Sequence, residues 1–273
     1  MATLPIMAAG PQLDAATILL QWATGGLLFC WVTTRRRELG DGYGWLLRAS
    51  YAAIATLAAI AGYGWASEPI RDAASVAVAV TAAFALVLSI VQRTGDSTSR
   101  STESREGTSS FDPRWDLLAP IVGTIGLVAA GLGGGGNEVL QTARILVGAA
   151  FLGSVTDAML LGHWYLVQPG LRREPLLEQV SWLGRLWPLE VGLLIVPTGM
   201  LSVLSGTIDD SYGGMLGWFW LACALTTGVL VIVTRAALRE REYAAVMAAT
   251  GLLYLAILTA FGTDVVARLV LEI

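Results

Sequence analysis

Residues 15–37 read AATILLQWATGGLLFCWVTTRRR, an uncharged run of twenty residues closed by three consecutive arginines. A helix needs about 20 mostly apolar residues to cross roughly 30 Å of hydrocarbon, and basic residues gather on the cytoplasmic side of such a span. The run therefore predicts a membrane helix whose far end is cytoplasmic. No charge precedes it between Met1 and Gln12, so it lacks the basic n-region of a cleaved signal and reads as a retained span.

Seven further stretches of this kind follow, near 49–66, 73–92, 115–133, 139–165, 181–205, 214–234 and 243–262. Composition agrees: 55% of the 273 residues are hydrophobic and only 14% charged, against about 25% charged in soluble domains. Mean hydropathy is +0.65. A soluble enzyme, a nucleic-acid binder and a disordered chain are excluded. The sequence predicts an all-α, polytopic integral membrane protein of eight transmembrane helices, with the lipid bilayer and other membrane subunits as its partners and no nucleic acid.

Arginine placement sets the orientation. All 17 basic residues are arginine. Fourteen fall in the loops after spans one, three, five and seven, and only Arg71, Arg144 and Arg268 fall on the opposite side. The asymmetry predicts a multi-pass protein of the cytoplasmic (inner) membrane with both termini outside.

The chain divides into three spans over 1–92, a linker over 93–114, a fourth span over 115–136, and a second four-span half over 137–273. The Ser/Thr-rich stretch TGDSTSRSTESREGTSS at 94–110 has no apolar residue to bury and is expected to be a disordered cytoplasmic linker. Arg36-Arg37-Glu38, Trp45 and Arg48 recur as Arg172-Arg173-Glu174, Trp182 and Arg185 at an offset of 136 to 137 residues, which also sets Gly62 on Gly199. That repeat predicts two four-helix halves in parallel orientation. Under it Asp157 aligns with Gln21, His163 with Leu27 and Glu190 with Ala53, so the second half carries the chemistry.

Ionisable groups inside spans are costly and are functional candidates by default. Asp157 lies about eight residues from the cytoplasmic end of span five, and Glu190 about eight from the start of span six. Both are expected roughly 12 Å deep at about 1.5 Å per residue, in one shared pocket. Two carboxyls there suit proton transfer or a hydrogen bond to a quinone, and Asp157 and Glu190 are the candidate catalytic residues. His163, Trp164, Arg185 and Pro197 are the candidate ligand-binding residues. His163 points about 120° away from Asp157 on the helix, at about 100° per residue. Arg185 is placed to snorkel or to pair with Asp157. Pro188 and Pro197 free the carbonyls of Gly184 and Leu193, and Pro197 shares a face with Glu190. Asp264 and Arg268 are expected as an i,i+4 ion pair in an outer amphipathic tail, and Asp209-Asp210 as a solvated outer turn.

One histidine and two cysteines exclude a His- or Cys-rich metal centre built from this chain alone, so no metal is expected. A haem would need a second ligand beyond His163; a quinone is the cofactor the site would suit. Three functions are compatible with these residues: a membrane subunit of a redox or respiratory-type complex with a quinone or proton site on spans five and six, a small proton- or cation-coupled transporter, and a structural or assembly subunit that binds partner spans.

Overall fold

The computed structural model describes residues 14–65, 67–99, 111–133 and 137–271. They form helices α1 (Ala15–Thr34), α2 (Asp41–Trp65), α3 (Pro69–Ser99), α4 (Leu118–Gly133), α5 (Glu138–Val167), α6 (Glu174–Ile195), α7 (Gly199–Leu204), α8 (Met215–Ala237) and α9 (Tyr243–Leu271), with a short 3-10 turn over Pro113–Leu117 leading into α4. No strand occurs among the described residues. Seven of these helices, α4 taken together with its leading 3-10 turn, are long and apolar enough to cross a membrane. The remaining long helix, α6, carries Glu174, Glu178, Arg185 and Glu190 within its 22 residues and fails on charge, not length. The predicted span at 181–205 is thus divided between α6 and α7, with Val196, Pro197 and Thr198 between them.

α1 and α5 are the centre of the bundle: 72% of each span is buried, against 33% for α3 and α9. α1 packs on α2, α4 and α5, while α5 packs on α1, α4, α6 and α9. α3 packs on α2 and α4, and α8 packs on α6 and α9. The α1–α5 contact is a backbone contact. A Cβ added to Gly25 would sit 1.7 Å from the carbonyl oxygen of Ala149, and one added to Gly153 would sit 2.1 Å from the carbonyl carbon of Gly25. Small residues permit this approach inside a bilayer, where packing and not hydrophobic exclusion joins helices. The adjacent Gly26 is covered by the ring of Tyr51, 2.0 Å from where its Cβ would be. Cys30 and Cys223 are both buried and free.

Three helix ends differ from the sequence reading. α3 runs on to Ser99, through the first part of the stretch expected to be disordered; residues 100–110 of that linker lie outside the described residues. α6 begins at Glu174, seven residues before the predicted start at 181. α9 is 29 residues long and extends through Asp264 and Arg268 to Leu271. That overturns the outer tail: no proline or capping residue interrupts the helix after Gly262, and Asp264 and Arg268 lie 0% and 1% exposed inside the bundle.

The outer turn also differs. Asp210 is 2% exposed, not solvated. It accepts hydrogen bonds from the backbone amides of Tyr212 (3.0 Å), Gly214 (2.8 Å) and Leu216 (2.8 Å), fastening the entry of α8. Burial alone would push its carboxyl pKa up, but these amides outweigh it and hold it below the usual carboxylate range.

Two predictions follow from this packing. Gly153→Leu should remove folded protein from the membrane, whereas Gly251→Ala, with open space around the new methyl, should leave detergent-solubilised yield unchanged. Because the Asp210 carboxyl titrates lower in the folded chain than in the unfolded one, its charge stabilises the fold above about pH 4 and the contribution is lost as pH falls through the folded value. The thermal stability gap between the wild type and Asp210→Asn should therefore be open at neutral pH and close in acid.

Candidate functional site

Two buried polar clusters lie at different depths. The first is assembled from four helices. On α9, Arg268 Nε donates to both Asp264 oxygens, at 3.0 and 2.9 Å. From α1, Gln21 Nε2 donates to Asp264 Oδ1 at 3.2 Å. Arg268 Nη2 donates to the carbonyl of Arg144 on α5 at 3.2 Å. Glu190 of α6 faces Asp264, Arg268 and Arg144. Gly148 forms the floor, since a Cβ there would meet Gln21 Nε2 at 2.3 Å and Asp264 Oδ1 at 2.5 Å.

Arg144 also closes the break between α6 and α7. Its Nε donates to the Leu193 carbonyl at 2.9 Å and its Nη2 to the Val196 carbonyl at 2.6 Å. Leu193 lies four residues before Pro197, so its carbonyl has lost the amide that would have bonded it. A guanidinium at a helix C-terminus meets both unpaired carbonyls and the negative end of the dipole. The cluster nevertheless keeps unpartnered atoms: both carboxyl oxygens of Glu190, Gln21 Oε1 and Arg268 Nη1 have no hydrogen-bond partner.

The second cluster is Asp157 on α5 with two tyrosines of α2. Tyr51 crosses α1 over Gly26 and donates to Asp157 Oδ1 at 2.5 Å, while Oδ2 has no partner. Tyr43 donates to the Asp157 carbonyl at 3.3 Å and packs on the Trp164 ring at 5.8 Å between centroids.

Asp157 and Glu190 do not share a pocket: Asp157 bonds Tyr51, and Glu190 faces the two arginines and Asp264. The earlier start of α6 explains the offset. Glu190 lies sixteen residues, or about 24 Å, from the start of α6. Asp157 lies ten residues, or about 15 Å, from the end of α5. His163 is exposed, with Nδ1 3.1 Å from the Tyr254 hydroxyl. Trp164 Nε1 donates to Gln168 at 3.2 Å. Arg185 is exposed and stacks over Trp182 at 5.3 Å, away from Asp157. Pro197 sits in the break itself.

Sequence reasoning missed Gln21, Tyr51 and Arg144 as site residues. A glutamine in an uncharged span was the available signal for the first; Arg144 counts in the sequence only as one of three arginines opposite the other fourteen, and nothing in the spacing singles out Tyr51. It also missed two buried ion pairs that brace the first half. Arg48 binds Asp116 through two bonds of 2.7 Å, over the Phe111 ring. Arg71 binds Asp72 at 2.8 Å and Asp14 at 2.6 Å. Among the described residues no group of three or more His, Cys, Asp and Glu side chains could hold a metal.

No protein-family model, curated protein sequence or solved structure matches the chain.

The Asp264–Arg268 pair generates a direct test. Asp264→Ala leaves a buried guanidinium without its carboxylate and should destabilise the protein by about 3–5 kcal/mol, whereas Asp264→Leu with Arg268→Met should fall near the wild type. Reversible unfolding in mixed micelles measures both. A double variant as unstable as the single would mean that the pair itself holds α9 in place.

Proposed function

We propose that this chain is a membrane subunit of a redox or respiratory-type complex that handles protons inside the bilayer, with a quinone as the redox partner. The observation that carries this reading is Glu190, a fully buried carboxyl that faces a second carboxyl and has no donor on either oxygen. An ionised Glu190 leaves both oxygens unpaired. A protonated one donates its O–H to Asp264, so proton uptake completes a hydrogen bond that the ionised form lacks. Asp157, with one oxygen on Tyr51 and the other unpartnered, offers a second such station nearer the opposite face. A quinone head approaching through the lipid meets His163, exposed and already engaged by Tyr254.

In this reading α6 and α7 together make one broken crossing, which brings the total to eight, with both termini outside the inner membrane. Arg71, Arg144 and Arg268, the three arginines assigned to the outer side, are 2%, 7% and 1% exposed. None is a solvated loop charge, which strengthens the asymmetry behind this orientation. The neighbour pattern also suits two parallel halves meeting at α1 and α5. Gly62 and Gly199, paired by the repeat, each lie against a charged group: a Cβ would meet Asp72 Oδ1 at 2.0 Å in one case and Arg144 Nη2 at 3.2 Å in the other.

A second reading, a proton- or cation-coupled transporter, draws on the break between α6 and α7, because discontinuous helices commonly form ion sites in transporters.

Glu190→Gln and Asp157→Asn are expected to abolish activity of the native complex while membrane abundance holds. Loss of abundance with unchanged activity per molecule would instead assign these residues to structure and the chain to assembly. Purified protein should carry stoichiometric quinone in an organic extract. A quinone-free, spectrally silent protein that acidifies or alkalinises liposomes on its own would move the assignment to transport.

A further inference from the structure

We propose that the break between α6 and α7 is a monovalent-cation site whose resident occupant is the protein's own Arg144 guanidinium. The inference stands on the break and on Glu190 in its ionised form, the same residue that the proposed function uses as a proton station. Acceptor oxygens of α6 and of the segment that follows it converge on the Arg144 guanidinium. The Leu193 and Val196 carbonyls have lost their helical donors and are held by Arg144. Glu190, one turn earlier on α6 and facing Arg144, contributes two carboxyl oxygens without a hydrogen-bond partner and is 0% exposed.

Carbonyls of an unwound helix, a helix C-terminus and a carboxyl are the hard oxygen ligands that hold alkali cations in membrane proteins. Charge fixes the valence. Glu190 and Asp264 are matched by Arg144 and Arg268, so the ionised cluster is neutral with the guanidinium in place. Withdrawing that one guanidinium leaves a single negative charge among unpaired oxygens, which one sodium or potassium ion neutralises.

Arg144 has a route out. It lies six residues past the start of α5 at Glu138, about 9 Å along the axis. An arginine side chain at that depth can snorkel to the interface. A Cβ on Gly199 would lie 2.0 Å from the Leu194 carbonyl and 3.2 Å from Arg144 Nη2, so this glycine keeps the seat of the guanidinium open. Guanidinium and cation are then alternative ligands of one site, and whichever occupies it sets the geometry of the break beside Glu190.

Thermal unfolding of purified protein in detergent, in sodium, potassium or choline chloride at equal ionic strength, tests the proposal without any turnover assay. The wild type is expected to melt at one temperature in all three salts. Arg144→Ala should melt lower in choline and be raised by about 5 °C in sodium or potassium chloride at saturating cation. Arg144→Gln, which keeps an N–H donor for one carbonyl, should show the same salt selectivity, and adding Glu190→Gln to it should abolish that selectivity. Melting of both Arg144 variants independent of the cation overturns the proposal. So does failure of both to accumulate in cells grown in sodium-containing medium, because the cation must be able to replace the guanidinium. Proton handling fails separately, if Glu190→Gln retains full activity in the native complex.

Discussion

The contact on which the interior depends is the backbone approach of α1 to α5 at Gly25, Ala149 and Gly153. In lipid there is no gain from hiding apolar surface, so two helices that meet through bare backbone do so for dispersion contacts and for what their neighbours then reach. Here that reach is polar. With the helices this close, Gln21 of α1 spans to Asp264 of α9, and Arg268 of α9 reaches the carbonyl of Arg144 on α5. Tyr51 of α2 lies flat over Gly26 and extends past α1 to Asp157. A side chain at Gly25 or Gly153 would separate the helices and break both clusters together.

Charge balance is the second constraint, and it explains which arginines are where. Moving a charge into a low-dielectric interior is repaid only when its partner is well placed and its remaining hydrogen-bonding groups are satisfied. Arg48 and Arg71 meet that condition with short carboxylate bonds. The Glu190 cluster meets it in charge but not in hydrogen bonding, since Glu190, Gln21 and Arg268 retain unpartnered atoms. Atoms left open in this way are what the proposed exchange of a proton or cation would use, since a transient ligand leaves its partners unpaired between visits.

The helical class and most of the spans were legible because hydropathy and arginine asymmetry are additive over some twenty residues and tolerate local exceptions. The ends were less legible. Nothing in the composition of 94–99 distinguishes a helix that continues beyond the bilayer from a polar loop, and α3 continues. Asp264 and Arg268 looked like the start of a solvated tail because two charges in a row of turns normally mark an interface. Their burial required Gln21 and Arg144, from 243 and 124 residues away in sequence, to arrive as partners. The carbonyl freed by Pro197 was legible from one proline and a fixed four-residue offset, but its arginine partner on another helix was not. The pairing expected between Asp157 and Glu190 shows the same boundary: each residue was found within its helix, and a seven-residue error in where α6 begins moved the two to different depths.

α6 is the long helix that falls outside the seven most apolar ones, and the reason is informative. Each of the other long helices is apolar enough to enter a bilayer unaided, whereas α6 brings in Glu190 and ends in carbonyls that its own backbone cannot satisfy. In the bundle α6 is tied to α5 and α9 through Arg144, Arg268 and Asp264. A segment held by polar contacts, not by lipid preference, has alternative arrangements close in free energy whenever one of those contacts can be exchanged for a proton or an ion. The same residues that set α6 apart from the other membrane helices are thus the ones through which the proposed proton or cation would act on the rest of the structure.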